Sequence, residues 1–148
     1  MKRLQHLQCL VALGFWACAA GPAVAVTDGI TSQGLRYVTG GITDDERDAL
    51  LANSEPHGLK VVTVARPSGA YLAAARIVIA DANGRQLLDT RLDGPFLQVE
   101  LDPGRYTVDV EFERQSMMKE VAIARDVPRV LVFAFDADAD SRPGAAPG

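Results

Sequence analysis

From Leu59 onward, apolar and polar positions alternate with a period of two. The plainest case is Arg105–Glu113, where Tyr106, Val108, Val110 and Phe112 share one face and Thr107, Asp109, Glu111 and Glu113 the other. Such a strand buries one face and wets the other, as in an antiparallel sheet. Phe96–Leu101 alternates too, with Leu97, Val99 and Leu101 opposite Phe96, Gln98 and Glu100. Leu59–Arg66, Arg76–Ala80, Arg85–Leu92 and Met117–Ala124 supply further strands. Arg129–Phe135 (RVLVFAF) is apolar on both faces and is expected to be central or covered. Turn signals stand between these runs: Pro67-Ser68-Gly69, Asp81-Ala82-Asn83-Gly84, Asp93-Gly94-Pro95 and Asp102-Pro103-Gly104. Asn83-Gly84 suits the positive φ of a tight hairpin, and Gly104 is expected in a left-handed conformation after Pro103. Seven strands over residues 59–135 predict a mainly β protein, a seven-stranded antiparallel β-sandwich.

The preceding segment reads differently. Val26–Thr39 is polar and glycine-punctuated, with one short strand candidate at Leu35–Thr39, and Gly40-Gly41 then breaks the chain. Thr43-Asp44-Asp45-Glu46 fits a capping box, in which the Thr43 hydroxyl accepts from the Glu46 amide and the Glu46 carboxylate reaches back. Three acidic residues in the first turn also suit the positive end of a helix dipole. The helix is predicted over Asp44–Ala52, ending near Asn53 ahead of Pro56 and Gly58. A helix this short is unstable alone and must dock on something.

Residues 1–25 have the form of an export leader: two early positive charges, an apolar Leu4–Ala20 stretch, and Pro22-Ala23-Val24-Ala25 with a small-x-small end. The alternative is acylation at Cys18, but Phe15-Trp16-Ala17 puts bulky rings just before it. No later stretch reaches the roughly 20 apolar residues of a membrane span. Cleavage after Ala25 leaves 123 of the 148 residues, all 19 acidic residues and 13 of the 15 basic ones, so the net charge falls from −4 to −6. Cys9, Cys18, Trp16 and His6 leave with the leader, and His57 becomes the one histidine. That composition excludes a disulfide scaffold, thiol chemistry and zinc sites of several Cys or His ligands. An acidic chain also argues against nucleic acid as partner. The expected division is thus leader 1–25, helical segment 26–58, sandwich 59–135 and a disordered acidic tail 136–148.

Leu101-Asp102-Pro103-Gly104-Arg105-Tyr106-Thr107-Val108 resembles the L-x-P-G-x-Y-x-V signature of carboxypeptidase regulatory-like domains, which are transthyretin-like (prealbumin-like) sandwiches. Tyr71-Leu72-Ala73, the Val78–Gly84 stretch, Leu88 and Asp93-Gly94-Pro95 are similar to that family as well. Tyr37-Val38-Thr39-Gly40-Gly41-Ile42 and Asp45-Glu46-Arg47 resemble the lead-in of small exported bacterial proteins built on one such domain. The resemblance implies a fold and a periplasmic or secreted location, and accessory or binding work instead of a reaction. In the motif itself, Tyr106 is expected to bury its ring and give its hydroxyl a backbone partner.

The chemistry-bearing residues are few. His57 stands in a Pro-His-Gly loop, and neither Ser54 nor Ser68 has an evident partner for nucleophilic work. The hydroxyisourate hydrolases of the same fold carry several histidines and a Tyr-Arg-Gly-Ser/Thr ending, whereas this chain ends Ala-Pro-Gly. Asp136, Asp138 and Asp140 open like a calcium loop but lack its glycine at the sixth position and glutamate at the twelfth. Asp44, Asp45 and Glu46 are explained by capping, and Met117-Met118 by packing. No catalytic residue, cofactor or metal ligand is therefore assigned. The expectation is a non-catalytic module that binds an envelope or periplasmic protein by strand addition or by complementary charge on the acidic face of Asp109 and Glu111. The alternative is a small-ligand or carbohydrate carrier that stacks its ligand on Tyr37, Tyr71 or an exposed Phe96, with a hydrolase third.

Overall fold

The computed structural model describes residues 26–52 and 58–137. Residues 1–25 with Cys9 and Cys18, then Ser54 and His57, and Asp138 and Asp140 lie outside the described residues.

Nine strands in two sheets and one short helix make up the described chain, a β-sandwich. The strands are β1 (Thr27–Ile30), β2 (Arg36–Gly40), β3 (Gly58–Arg66), β4 (Arg76–Asp81), β5 (Gln86–Arg91), β6 (Phe96–Glu100), β7 (Gly104–Phe112), β8 (Gln115–Ile123) and β9 (Arg129–Asp136). Helix α1 spans Asp44–Ala52. One sheet runs β1-β2-β6-β3-β9 and the other β5-β4-β7-β8.

Three expectations need correction. The seven strands over 59–135 are present, but the sandwich has nine, because β1 and β2 extend the first sheet beside β6. The sheets are not wholly antiparallel: β3 and β9 run parallel, Leu59 opposite Arg129 through Arg66 opposite Asp136. Nor is β9 central. It is the edge strand of its sheet, and its two apolar faces have different surroundings. Phe133 and Phe135 are buried in the core, whereas Val130 and Val132 face outward.

The core follows the period of two. Leu59, Val61 and Ala65 of β3, with Leu97 and Val99 of β6, face Ile77, Ile79, Val108 and Val110 of the other sheet. Thr63, the polar member of the β3 inner row, is fully buried and donates its hydroxyl to the Leu72 carbonyl at 2.6 Å. That bond satisfies the hydroxyl and ties down the crossover between the sheets.

Turn chemistry meets expectation at Gly84 and departs from it at Gly104. Gly84 has the positive φ (77°) of its turn, helped by Asp81, whose carboxylate accepts from the Asn83 and Arg85 amides at 2.9 Å. Gly104 does not: it begins β7 in ordinary strand geometry. A left-handed residue stands instead beyond the far end of β7, where Glu113 (φ 55°) with Arg114 joins β7 to β8 in a tight hairpin. Tyr106 behaves as the motif requires, its ring buried and its hydroxyl donating to the Asp102 carbonyl at 2.7 Å.

Helix α1 docks on the outer face of the five-stranded sheet. Its capping box forms: the Glu46 amide donates to the Thr43 hydroxyl at 3.3 Å, and Glu46 Oε2 accepts from the Thr43 amide at 3.4 Å. The same oxygen also takes the Ile42 amide at 2.8 Å and the Gly41 amide at 3.2 Å, so this buried carboxylate fastens the whole Gly41–Thr43 approach. At the other end, no basic residue stands in the last turn. The sheet supplies the donors instead, Lys60 Nζ at 3.1 Å and the Gln98 amide both reaching the Leu50 carbonyl.

Candidate functional site

The helix covers only part of the outer face. Register places Val38, Gln98, Lys60 and Val130 abreast across β2, β6, β3 and β9. Higher up, Phe96 belongs to the same face, pairing with Gly40 and Val62. It is 2% exposed, so it is not the open platform expected of it. A side chain at Gly41 would collide with its ring, and Tyr71 packs against it with centroids 5.2 Å apart. Tyr71 is 50% exposed, but Arg47 stands over its ring at 5.1 Å. The structure thus joins Tyr71 and Phe96 in one stack that Arg47 completes. Tyr37 lies elsewhere, on the inner row opposite Val99 and packed on Gly29.

The acidic face of the other sheet is partly offset from within. Arg76 makes a bidentate pair with Asp89, Nε to Oδ1 at 2.9 Å and Nη2 to Oδ2 at 2.7 Å, and reaches Glu111 at 4.0 Å. The hydrogen bonds from Arg76 hold the Asp89 carboxyl below its ordinary range, and the same pair raises Arg76. Asp109 accepts from the Ser116 hydroxyl at 2.8 Å. Asp109 and Glu111 are therefore cross-strand pairing groups, and the surface they share carries an arginine at its centre.

What remains open is β9 and the outer face beside it. The Asp136 amide donates to Gln115 Oε1 at 3.0 Å, and its carbonyl accepts from Gln115 Nε2 at 2.6 Å, so one side-chain amide imitates a neighbouring strand. Lys119 Nζ reaches the Val132 carbonyl and lies 4.9 Å from the centre of the Phe133 ring. All three bonds are made with β8 side chains, away from β3. Even-numbered β9 residues therefore turn their backbone groups to the free edge, Val130 and Ala134 included. The edge is guarded at two points and open between them, a common treatment of an exposed edge strand. The outward side chains are apolar: Val130 is 59% and Val132 46% exposed, beside half-buried Val62, Val64 and Ala134. Burial also pushes the Lys60 ammonium below its ordinary value at one border of this strip.

Reading the sequence did not single out Val130, Val132, Gln115 or Lys119 as functional. The available signal was RVLVFAF itself, whose second apolar face has to be covered by something. Among the described residues, no helix is long and apolar enough to cross a membrane. No protein-family model matches the chain, and neither does any curated protein sequence.

Proposed function

We propose that this chain is a non-catalytic, exported accessory module of the bacterial cell envelope that binds a protein partner, built on a carboxypeptidase regulatory-like, transthyretin-like domain. The observation that carries the binding role is β9. An edge strand with free backbone groups and two exposed valines offers both hydrogen bonds and apolar area to an incoming segment. The two-sheet sandwich and the Tyr106–Asp102 bond support the domain assignment, because Tyr106 buries its ring and finds the backbone partner expected of it in the motif. The acidic face is a poorer docking surface, since Arg76 engages its carboxylates. The stacking alternative is weakened by the same geometry, because Phe96 and Arg47 already flank Tyr71.

The test is site-specific photo-crosslinking in the bacterial envelope. A photoreactive residue at Val132 or Val130 is expected to give a discrete partner adduct. The same residue at Glu120, exposed on β8, is expected to give none. Equal labelling from all three positions refutes the reading.

A further inference from the structure

The outer face contains a hollow of about 180 Å³ where β2, β3 and β9 begin and β6 ends. Register explains its place. Val38, Gln98, Lys60 and Val130 stand abreast in one row, and the next row has Gly58 opposite Glu100. Gly58 brings no side chain, so the sheet surface sinks between Val130 on one side and Val38 on the other. Most of the floor is backbone and aliphatic carbon.

Size and charge both restrict what fits. An apolar cavity of about 150 Å³ is enough to hold benzene, so this one takes a single aromatic or large aliphatic group and not a drug-sized molecule. Of the charged lining residues, Arg36, Lys60 and Arg129 are cationic and Glu100 alone is anionic, on a chain of net charge −4. Neither Arg36 nor Arg129 makes an ion pair among the described residues. Val130 belongs to the wall and continues into the exposed Val132 outside it. The apolar surface thus runs beyond the hollow, which suits a polypeptide more than a free small molecule.

We infer that this hollow is the anchor pocket of the binding surface, receiving one large apolar side chain from an acidic segment of the partner protein. The inference rests on the binding-module reading and adds the chemistry of the partner to it. Carboxylates beside the anchor meet Arg36 and Lys60, while the anchor itself displaces water from the floor over Gly58.

Titration of the ¹⁵N-labelled full chain with the capped peptide acetyl-Asp-Glu-Phe-Glu-Asp-amide tests it. Saturable shifts are expected at the amides of Lys60, Gln98 and Val130. Replacing the peptide's phenylalanine by alanine is expected to weaken binding by about tenfold or more, the effect of leaving a buried ring out. Two variants complete the test: Val38→Phe, which fills the hollow, and Arg36→Glu, which reverses a surface charge at its rim. Both are expected to weaken binding while amides of the opposite sheet keep their positions. Absence of saturable shifts overturns the inference, as does equal binding of the peptide with lysines in place of its acids. The broader reading is judged separately: loss of the Val130 and Val132 adducts in Val38→Phe is the result expected, adducts that persist in Val38→Phe retain the β9 surface while removing the anchor, and absence of adducts from both valines in the otherwise wild-type protein removes both.

Discussion

Replacing Tyr106 by phenylalanine removes one hydroxyl and leaves the ring burial of the β6–β7 corner in place. The lost bond is the 2.7 Å contact to the Asp102 carbonyl. An intramolecular hydrogen bond of this kind contributes about 0.5–1.5 kcal/mol net. Asp102 is exposed, so its freed carbonyl can take up water, and a loss of about 1 kcal/mol is expected. For a unit of roughly 100 residues that lowers the thermal midpoint by about 4–8 °C. The same residue gives the change a pH signature. Burial, with Asp102 and Asp81 adding to it, raises the Tyr106 phenol above its ordinary value near 10. The folded chain therefore keeps a proton that the unfolded chain has released. The resulting stabilisation is complete below about pH 10 and disappears as pH rises through the raised folded value. Lys60, lowered by burial, changes stability in the opposite direction on the alkaline side, so the quantity to measure is the difference between wild type and Tyr106→Phe. Urea unfolding at pH 7 and across the alkaline limb supplies it. The difference is expected to shrink with rising pH. A gap that stays constant through the alkaline limb refutes the buried-phenol account, and no gap at pH 7 refutes the corner bond.

Three other perturbations probe separate parts of the sandwich. Gly94→Ala drives a methyl into the Gly40 carbonyl, where the obstacle is backbone and cannot swing aside, and is expected to cost about 1–3 kcal/mol in denaturant unfolding. Asp89→Asn breaks the bidentate pair with Arg76 on an exposed surface. Its small destabilisation is expected above the ordinary carboxylate value near 3.8 and to vanish as pH falls through the lowered folded value, which acid unfolding of the two proteins side by side will show. Gln115→Ala releases both backbone groups of Asp136. Hydrogen exchange at that amide is expected to quicken by about tenfold while the core amides of β7 keep their protection.

Much of this architecture was legible in single stretches of sequence. Alternation in Arg105–Glu113 marks β7 because Val108 and Val110 must be dry where Asp109 and Glu111 are wet. Thr43 and Glu46 announce the helix start because their reciprocal bonds need only local spacing. Pairings between distant strands carry no such local mark. β1 (TDGI) has no apolar alternation and forms because β2 offers it an edge. The apolar faces of RVLVFAF look alike in sequence whether the second is buried by protein or left for a partner, so the edge position of β9 was hidden. Phe96 alternates to the side that reads as solvent, and only the docking of α1 and Tyr71 buries it. Arg76 was invisible as the centre of the acidic face because Asp89 and Glu111 reach it from two other strands.

The parallel register of β3 and β9 has a consequence for how the molecule comes to be made. Leu59 and Arg129 sit side by side although about 70 residues separate them. A ribosome emits β3 long before β9, and in the interval one flank of β3 has no strand to receive its backbone groups. Non-local pairing of this kind is slow to close. β9, the last strand among the described residues, thus completes the first-laid sheet, and until it arrives the growing chain holds an unfinished edge of β3 (LKVVTVAR) open to any other extended polypeptide nearby.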